Sequence, residues 1–477
     1  MTSLCNKHIS LCAYWHSLPR ATKQWTMALF ALSMATKVVY TVALYRYGGS
    51  DALILGDSTR YLTLAQHVVS GEGYTYNGYL ESYRPPGYPG YLMLFTYFGI
   101  PLIFASLLQS MVASLLPIAS FFLAHKLLGL PSKISGVVGI LTALEPVQNF
   151  YAVTLMPDVY FSALLLVCIY YMYRWLNTER VRYIFLASVA IGFANYIRPA
   201  GLYLTLLLVI GTIVVGVYTR EPLRQRALHL LVFFIIPSAL MAPWCIRNYM
   251  QFDHYGFVSS LPYVAYVYAG VSSEAAARGV PYEVVKKEFL SRAAANVLDP
   301  KRPLTFANAP YYLENTLRSV QLYTTGYITT YLTGLNTFWF SGNYHYLMAR
   351  YGLIENPPSK PSFSMLLASK GVSVVMQTVW EMSSQPYLYI AIVGKIFWVV
   401  VFLTALVGAA VSPDKYASML FILLVVYFSI TILPMTIGVE ARHRYAMNPL
   451  LFGFSALGCV YASQYVRNKL QKLPLFS

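Results

Sequence analysis

The sequence predicts an all-α polytopic membrane protein with about ten transmembrane helices, and three observations carry that prediction. Hydrophobic residues make up 57% of the chain and charged residues only 11%, with mean hydropathy +0.53, a balance foreign to an ordinary soluble domain. The apolar residues gather in runs close to the roughly 20 residues a helix needs to cross the hydrocarbon core. The 34 Lys and Arg, against 18 Asp and Glu, sit at the ends of those runs, as positive-inside topology and anionic headgroups require. Because they form no basic patch on a soluble domain, no nucleic-acid partner is expected.

The first run, about 25–45, follows Lys7, Arg20 and Lys23 and lacks a small-residue cleavage site. It reads as a first span that starts in the cytoplasm, not as a cleaved signal peptide. Further spans are expected near 102–127, 133–150, 157–175, 183–196, 200–218, 228–246, 387–411, 416–437 and 446–466. This register returns Arg467, Lys469 and Lys472 to the cytoplasm and puts Lys126, Lys133, Arg174, Arg180, Arg182, Arg220, Arg224, Arg226 and Lys415 on the same side. The pair 183–196 and 200–218 reads as a hairpin, since Pro199 disfavours helical conformation at Arg198.

Three regions follow: an N-terminal transmembrane core over 1–248 with a first outer loop at 47–101, a large extracytoplasmic or interfacial loop region over 249–386, and C-terminal transmembrane helices over 387–477. Within the first loop, 85–101 carries Pro85, Pro86, Pro89 and Pro101 around apolar residues. It reads as a helix at the outer interface, with an added pair of crossings as the alternative. In the large loop, Glu283, Lys286, Lys287, Glu288 and Arg292 predict polar interfacial helices. Tyr263, Tyr266, Tyr268, Trp339 and Trp380 suit a surface between water and headgroups, so no independent soluble domain is expected. Cys5, Cys12, Cys168, Cys245 and Cys459 lack CxxC spacing, which gives no support for a metal cluster or disulfide scaffold. No Gly-rich nucleotide fingerprint is present.

This topology gathers Asp57, Arg60, Arg84, Glu145, Asp158, Arg198, Arg247, His254, Glu440, Arg442, His443 and Arg444 on the outer side. A carboxylate there can accept a proton, and arginines can hold phosphate through their planar forks. With only short cytosolic loops to hold a nucleotide sugar, the combination fits a transferase whose donor is a lipid phosphate. Asp57 follows Gly56 and precedes an amphipathic segment, 58–70, whose Tyr61, Leu64, Ala65 and Val68 share a face; helix capping is its plainer reading. Arg84 precedes Pro85 and Pro86, which stiffen its backbone, and could equally snorkel to headgroups. Asp158 follows Pro157 at a span entrance, where an acid is also favoured electrostatically. Glu145, His345 and the cluster at 440–445 complete the candidates, with Arg442 or Arg444 assigned to a leaving phosphate.

The segments GDSTRYLTLA (56–65), RPPGYP (84–89), LMPDVYF (155–161), RPAGL (198–202), PWCIRNY (243–249) and EARHRY (440–445) together resemble the C-type membrane glycosyltransferases. The resemblance is to the bacterial branch related to protein O-mannosyltransferases and the lipid A aminoarabinose transferase. It implies inverting transfer of a sugar from a polyprenyl-phosphate donor to a lipid, glycan or protein acceptor. The reaction would run on the periplasmic or exterior face of an integral protein of the bacterial inner membrane, among membrane lipids. Asp57 and Asp158 take the catalytic positions, Arg84, Arg442 and Arg444 the donor phosphate, and Arg60, Glu145, Arg198, Arg247, His345 and Glu440 the substrate. The chain departs from relatives at Ser58, where several have a second carboxylate, and at Arg84, where the aminoarabinose branch tends to have Lys. No cofactor is firmly implied. A divalent metal is compatible with the reaction, although three strong ligands are not evident. A polyprenyl-linked glycan or lipid transporter and an O-antigen polymerase or ligase are the alternatives, and the oligomeric state is left open.

Overall fold

The computed structural model describes residues 15–218, 222–354 and 376–470. Cys5, Lys7, Cys12, Arg220 and Lys472 therefore lie outside the described residues. Among the described residues the architecture is all-α apart from one two-stranded hairpin. Six helical segments among them are long and apolar enough to cross a membrane: Arg20–Leu53, Leu102–Leu127, Asp158–Thr178, Ala227–Phe252, Pro386–Val411 and Ala441–Asn468. Four shorter apolar helices accompany them: Ser132–Leu144, Val181–Ile197, Ala200–Ile213 and Lys415–Ile430.

Several expected spans are corrected in their boundaries. The run at 133–150 is not one helix: Ser132–Leu144 stops at Glu145, and a short buried helix, Pro146–Val153, starts anew. Pro146 is the cause, because it excludes helical conformation at the residue before it and suits the first position of the next helix. Glu145 is accordingly extended (φ −59°, ψ 119°), and its carboxylate caps the new helix by accepting from the Gln148 amide at 2.6 Å. The span expected at 416–437 ends at Ile430 and gives way to turns. The one expected at 228–246 extends over Leu223–Phe252 with Pro237 and Pro243 inside it. As Pro199 requires, Arg198 leaves the helix Val181–Ile197 in extended conformation.

The segment 47–101 folds onto the helical bundle as helix Gly56–Val69, hairpin Thr75–Leu80 and helix Gly87–Tyr97. The last has 11 residues, about 16 Å, so it cannot cross the membrane and adds no pair of crossings. The hairpin turns through Asn77 and Gly78, both with positive φ, the two-residue turn that Asn-Gly favours. A core including Leu53, Tyr61, Leu62, Tyr88, Leu92, Phe150, Val159, Ala441 and Tyr445 joins this loop to the entrances of two long helices. Burial of these side chains fixes the relative positions of segments far apart in the chain.

The large region after Phe252 consists of short helices, among them Val271–Arg278, Tyr282–Asn296, Ala309–Leu322 and Thr324–Phe340. It has a small core of its own around Tyr266, Val271, Phe289 and Tyr312. Hydrogen bonds that join it to the rest include Ser272 with Thr436 at 2.9 Å and Ser82 with Ser259 at 3.0 Å.

Candidate active site

Helix Gly56–Val69 presents Asp57 in its first turn. Ser58 performs the local capping, since its Oγ accepts from the Leu55 amide at 3.0 Å, and it is fully buried against Met156. Asp57 is thereby left to face other segments. Its Oδ1 accepts from Arg84 Nη2 at 2.7 Å and its Oδ2 from Arg442 Nη2 at 3.0 Å. One carboxylate is thus shared by two guanidiniums that enter from opposite ends of the chain.

Each guanidinium is held in turn. Arg84 stands between the rings of Tyr83 and Tyr61, at 5.0 and 5.2 Å, and its backbone is fixed where Tyr74 Oη donates to the Arg84 and Pro85 carbonyls. Gly87 lets this loop press on the Val181–Ile197 helix: a Cβ at that position would stand 2.5 Å from the Tyr196 carbonyl oxygen. Arg442 pairs through Nε with Glu440 at 3.1 Å and lies 5.8 Å from the Tyr151 ring. Beside them, Asp158 forms an ion pair with Arg198; its side chain is almost fully buried and its second oxygen has no hydrogen-bond partner among the described residues. Asp158 makes no side-chain cap but stands in the first turn of Asp158–Thr178, where an acid is favoured electrostatically.

Electrostatics follow from this geometry. Burial alone raises the Asp57 carboxyl, but Arg84 and Arg442 outweigh it and hold the group below its ordinary value. His443 caps locally, its Nδ1 accepting from the Glu440 amide at 3.0 Å. The cluster is therefore three cations, Arg84, Arg198 and Arg442, matched by three carboxylates, Asp57, Asp158 and Glu440. Among the described residues no group of three or more His, Cys, Asp or Glu could hold a metal ion.

No family model matches the chain, and no curated protein does. Among solved structures it is similar to the oligosaccharyltransferase of Archaeoglobus fulgidus in the apo form, with 11% identity over 94% of this chain and a TM-score of 0.48. The alignment covers 52% of that protein, so this chain spans about half its length. A second structure of that enzyme, AglB in complex with an inhibitory peptide and a dolichol-phosphate, aligns at 11% identity over 95% of this chain and 52% of that one, TM-score 0.41. ArnT from Cupriavidus metallidurans bound to undecaprenyl phosphate aligns at 15% identity over 94% of this chain and 81% of that one, TM-score 0.40.

The remaining candidates divide. Arg60 lies one helical turn beyond Asp57, pairs with Glu81 at 2.6 Å and stacks on Tyr76 and Tyr83. Arg247 donates to the Glu81 carbonyl at 2.8 Å and packs on Trp244, bracing the loop against the long helix. Glu145 and Arg444 lie elsewhere, in a second buried knot. Tyr344 Oη donates to Glu145 at 3.2 Å and accepts from Trp398 Nε1 at 3.0 Å, while Arg444 lies 3.6 Å over the Trp398 ring. Arg444 also donates to the carbonyls of Phe338 and Ser341 and is 1% exposed. His345 is half-buried, lowered by that burial, and has no contact with Asp57. The sequence reading gave no role to Glu81, Tyr83 or Tyr151. The signal for the first two was their place beside Arg84, in a loop otherwise rigid with proline.

Proposed function

We propose that this protein is a glycosyltransferase of the C-type membrane class that moves a sugar from a polyprenyl-phosphate donor to an acceptor, with inversion, on the extracytoplasmic face. The observation that carries this reading is the Asp57 carboxylate held by both Arg84 and Arg442. A proton acceptor and two phosphate-binding forks meet at one point, at the outer ends of helices able to cross a membrane.

In the free protein Asp57 neutralises both arginines. A donor phosphate brings new anionic oxygens, which draw Arg84 and Arg442 away from the carboxylate and so raise its basicity. The acceptor hydroxyl or amine then attacks the anomeric carbon as the bond from that carbon to the phosphate oxygen breaks. The bonding pair leaves on the phosphate, where the two guanidiniums stabilise it, and the acceptor proton passes to Asp57. Polyprenyl phosphate is the second product, and no acid is needed to protonate it. Asp158, fixed by Arg198, borders the same space with one oxygen available to orient the acceptor.

Transfer from polyprenyl-phosphate sugars by the purified protein tests this reading. Asp57→Asn is expected to lower kcat by about 10²–10⁴-fold, and Arg84→Ala to cost about 10²–10³-fold. If both variants fold and keep wild-type rates at subsaturating donor, the assignment is wrong.

A further inference from the structure

The helices Asp158–Thr178 and Val181–Ile197 pack against each other as a hairpin. Its open end carries Asp158 and Arg198, paired in the cluster described above. At its closed end, Arg174 stands roughly 24 Å beyond Asp158 along the helix axis, close to the roughly 30 Å of the hydrocarbon core, and so reaches the opposite membrane face. Arg174 comes from the end of the first helix and Arg182 from the start of the second. Both donate through Nη2 to one acceptor, Tyr183 Oη, each at 2.9 Å. Arg174 also donates to Tyr170 Oη at 3.0 Å. The Tyr183 ring lies against both guanidiniums, 4.9 Å from Arg174 and 4.7 Å from Arg182.

Two cations are thus held side by side on a neutral phenol. Among the described residues neither guanidinium has a carboxylate partner. Glu179, in the connecting turn, is exposed and ion-pairs with neither. Asp414, which meets this hairpin from a neighbouring helix, is occupied: it accepts from Tyr173 Oη at 2.5 Å and from the Ala417 amide at 3.0 Å. A guanidinium has five N–H donors, so Arg174 and Arg182 each keep more than half of theirs for an anion. An apolar surface continues from both. Val167 and Tyr170 precede Arg174 on one face of its helix, and Phe185 and Leu186 follow Arg182 on one face of the other. All four are exposed, between 37% and 47%, and lead from the guanidiniums toward the middle of the two helices.

We propose that the closed end of this hairpin binds an anionic phospholipid. The lipid phosphodiester sits on Arg174 and Arg182, and an acyl chain follows Val167, Tyr170, Phe185 and Leu186 into the bilayer. Arginine forks match phosphate oxygens, and basic sites between helix ends take acidic headgroups. The tyrosine decides the sign of the ligand. A carboxylate in its place would cancel one cation, whereas the phenol brings the two together and leaves both charges intact. A zwitterionic headgroup carries its own cation to this point and gains less. A soluble phosphate would use the arginines but leave the apolar path uncovered, so a lipid matches both parts of the site. The site lies on the membrane face opposite Asp57 and does not depend on the transfer reaction proposed above.

Native mass spectrometry of the full chain in detergent, titrated with phosphatidylglycerol and with phosphatidylcholine of identical acyl chains, provides the test. Phosphatidylglycerol is expected to bind about thirtyfold tighter, the effect of two surface cations on one anion. Arg174→Ala combined with Arg182→Ala is expected to bring the two lipids within about threefold of each other. Lys286→Ala combined with Lys287→Ala removes the same charge from the outer region and is expected to leave the preference unchanged. Tyr183→Phe keeps both cations but removes the acceptor on which they converge, and is expected to lower the preference by about threefold or more. Equal binding of the two lipids to the wild type overturns the proposal. So does a preference that survives the paired Arg→Ala change in a variant with wild-type melting temperature, or one lost equally in the lysine variant. If the paired Arg→Ala variant does not fold, Tyr183→Phe decides, and an unchanged preference there overturns the proposal. Displacement of bound phosphatidylglycerol by millimolar inorganic phosphate identifies a free anion as the ligand and likewise overturns the lipid assignment.

Discussion

Replacing Arg442 with Ala tests whether Asp57 is the base and whether its protonation is governed by the two arginines. Two unit charges about 4 Å apart interact by about 4 kcal/mol at an effective dielectric near 20 and by about 1 kcal/mol in water. The Asp57 side chain is 33% exposed and that of Arg442 17%, so the pair lies between these limits, at about 2 kcal/mol. Losing Arg442 removes that attraction and raises the Asp57 carboxyl. The sign follows from the depressed value in the folded protein: the stabilising charge is complete above the ordinary Asp range and is lost as pH falls through the lowered one. The acid limb of kcat/KM, which reports the free enzyme, is therefore expected to move to higher pH in Arg442→Ala. The position of the limb is read, not its height, so weaker donor binding does not obscure the result. Glu440→Gln removes the charge on the other side of Arg442 without touching Asp57, and its limb is expected to stay or fall. An unmoved limb in Arg442→Ala, or an equal upward shift in Glu440→Gln, refutes the reasoning.

Two further outcomes separate binding residues from structural ones. Arg444→Ala strips hydrogen bonds from two buried carbonyls and removes the stack on Trp398, and is expected to cost about 3 kcal/mol. Thermal unfolding in detergent should show a clearly larger loss than for Arg442→Ala, whose partners stay partly hydrated. Arg198→Ala leaves the buried Asp158 carboxylate without its cation and is expected to cost about 3–5 kcal/mol. Adding Asp158→Asn should recover much of that loss, and strictly additive melting shifts across the cycle would rule out the pairing.

The long apolar helices and the break at Arg198 before Pro199 were legible in the sequence, because they depend on chain-local quantities: hydropathy, length and the backbone limits of proline. The hairpin at Asn77-Gly78 was equally local and carried its own signal. The break at Glu145 had one too, in Pro146, but apolar residues on both sides concealed it.

Which charges meet was decided only by tertiary structure. Asp57 and Arg442 are 385 residues apart and come together because the core around Tyr61, Phe150 and Tyr445 packs their segments together. The choice between Arg442 and Arg444 shows the limit most directly. Both lie in the 3₁₀ segment Ala441–Met447, where each residue turns the chain by about 120°, so side chains two apart point to different sides. One therefore reaches Asp57 and the other Trp398. The sequence marked both arginines as candidates; packing assigned one to the site and the other to the core.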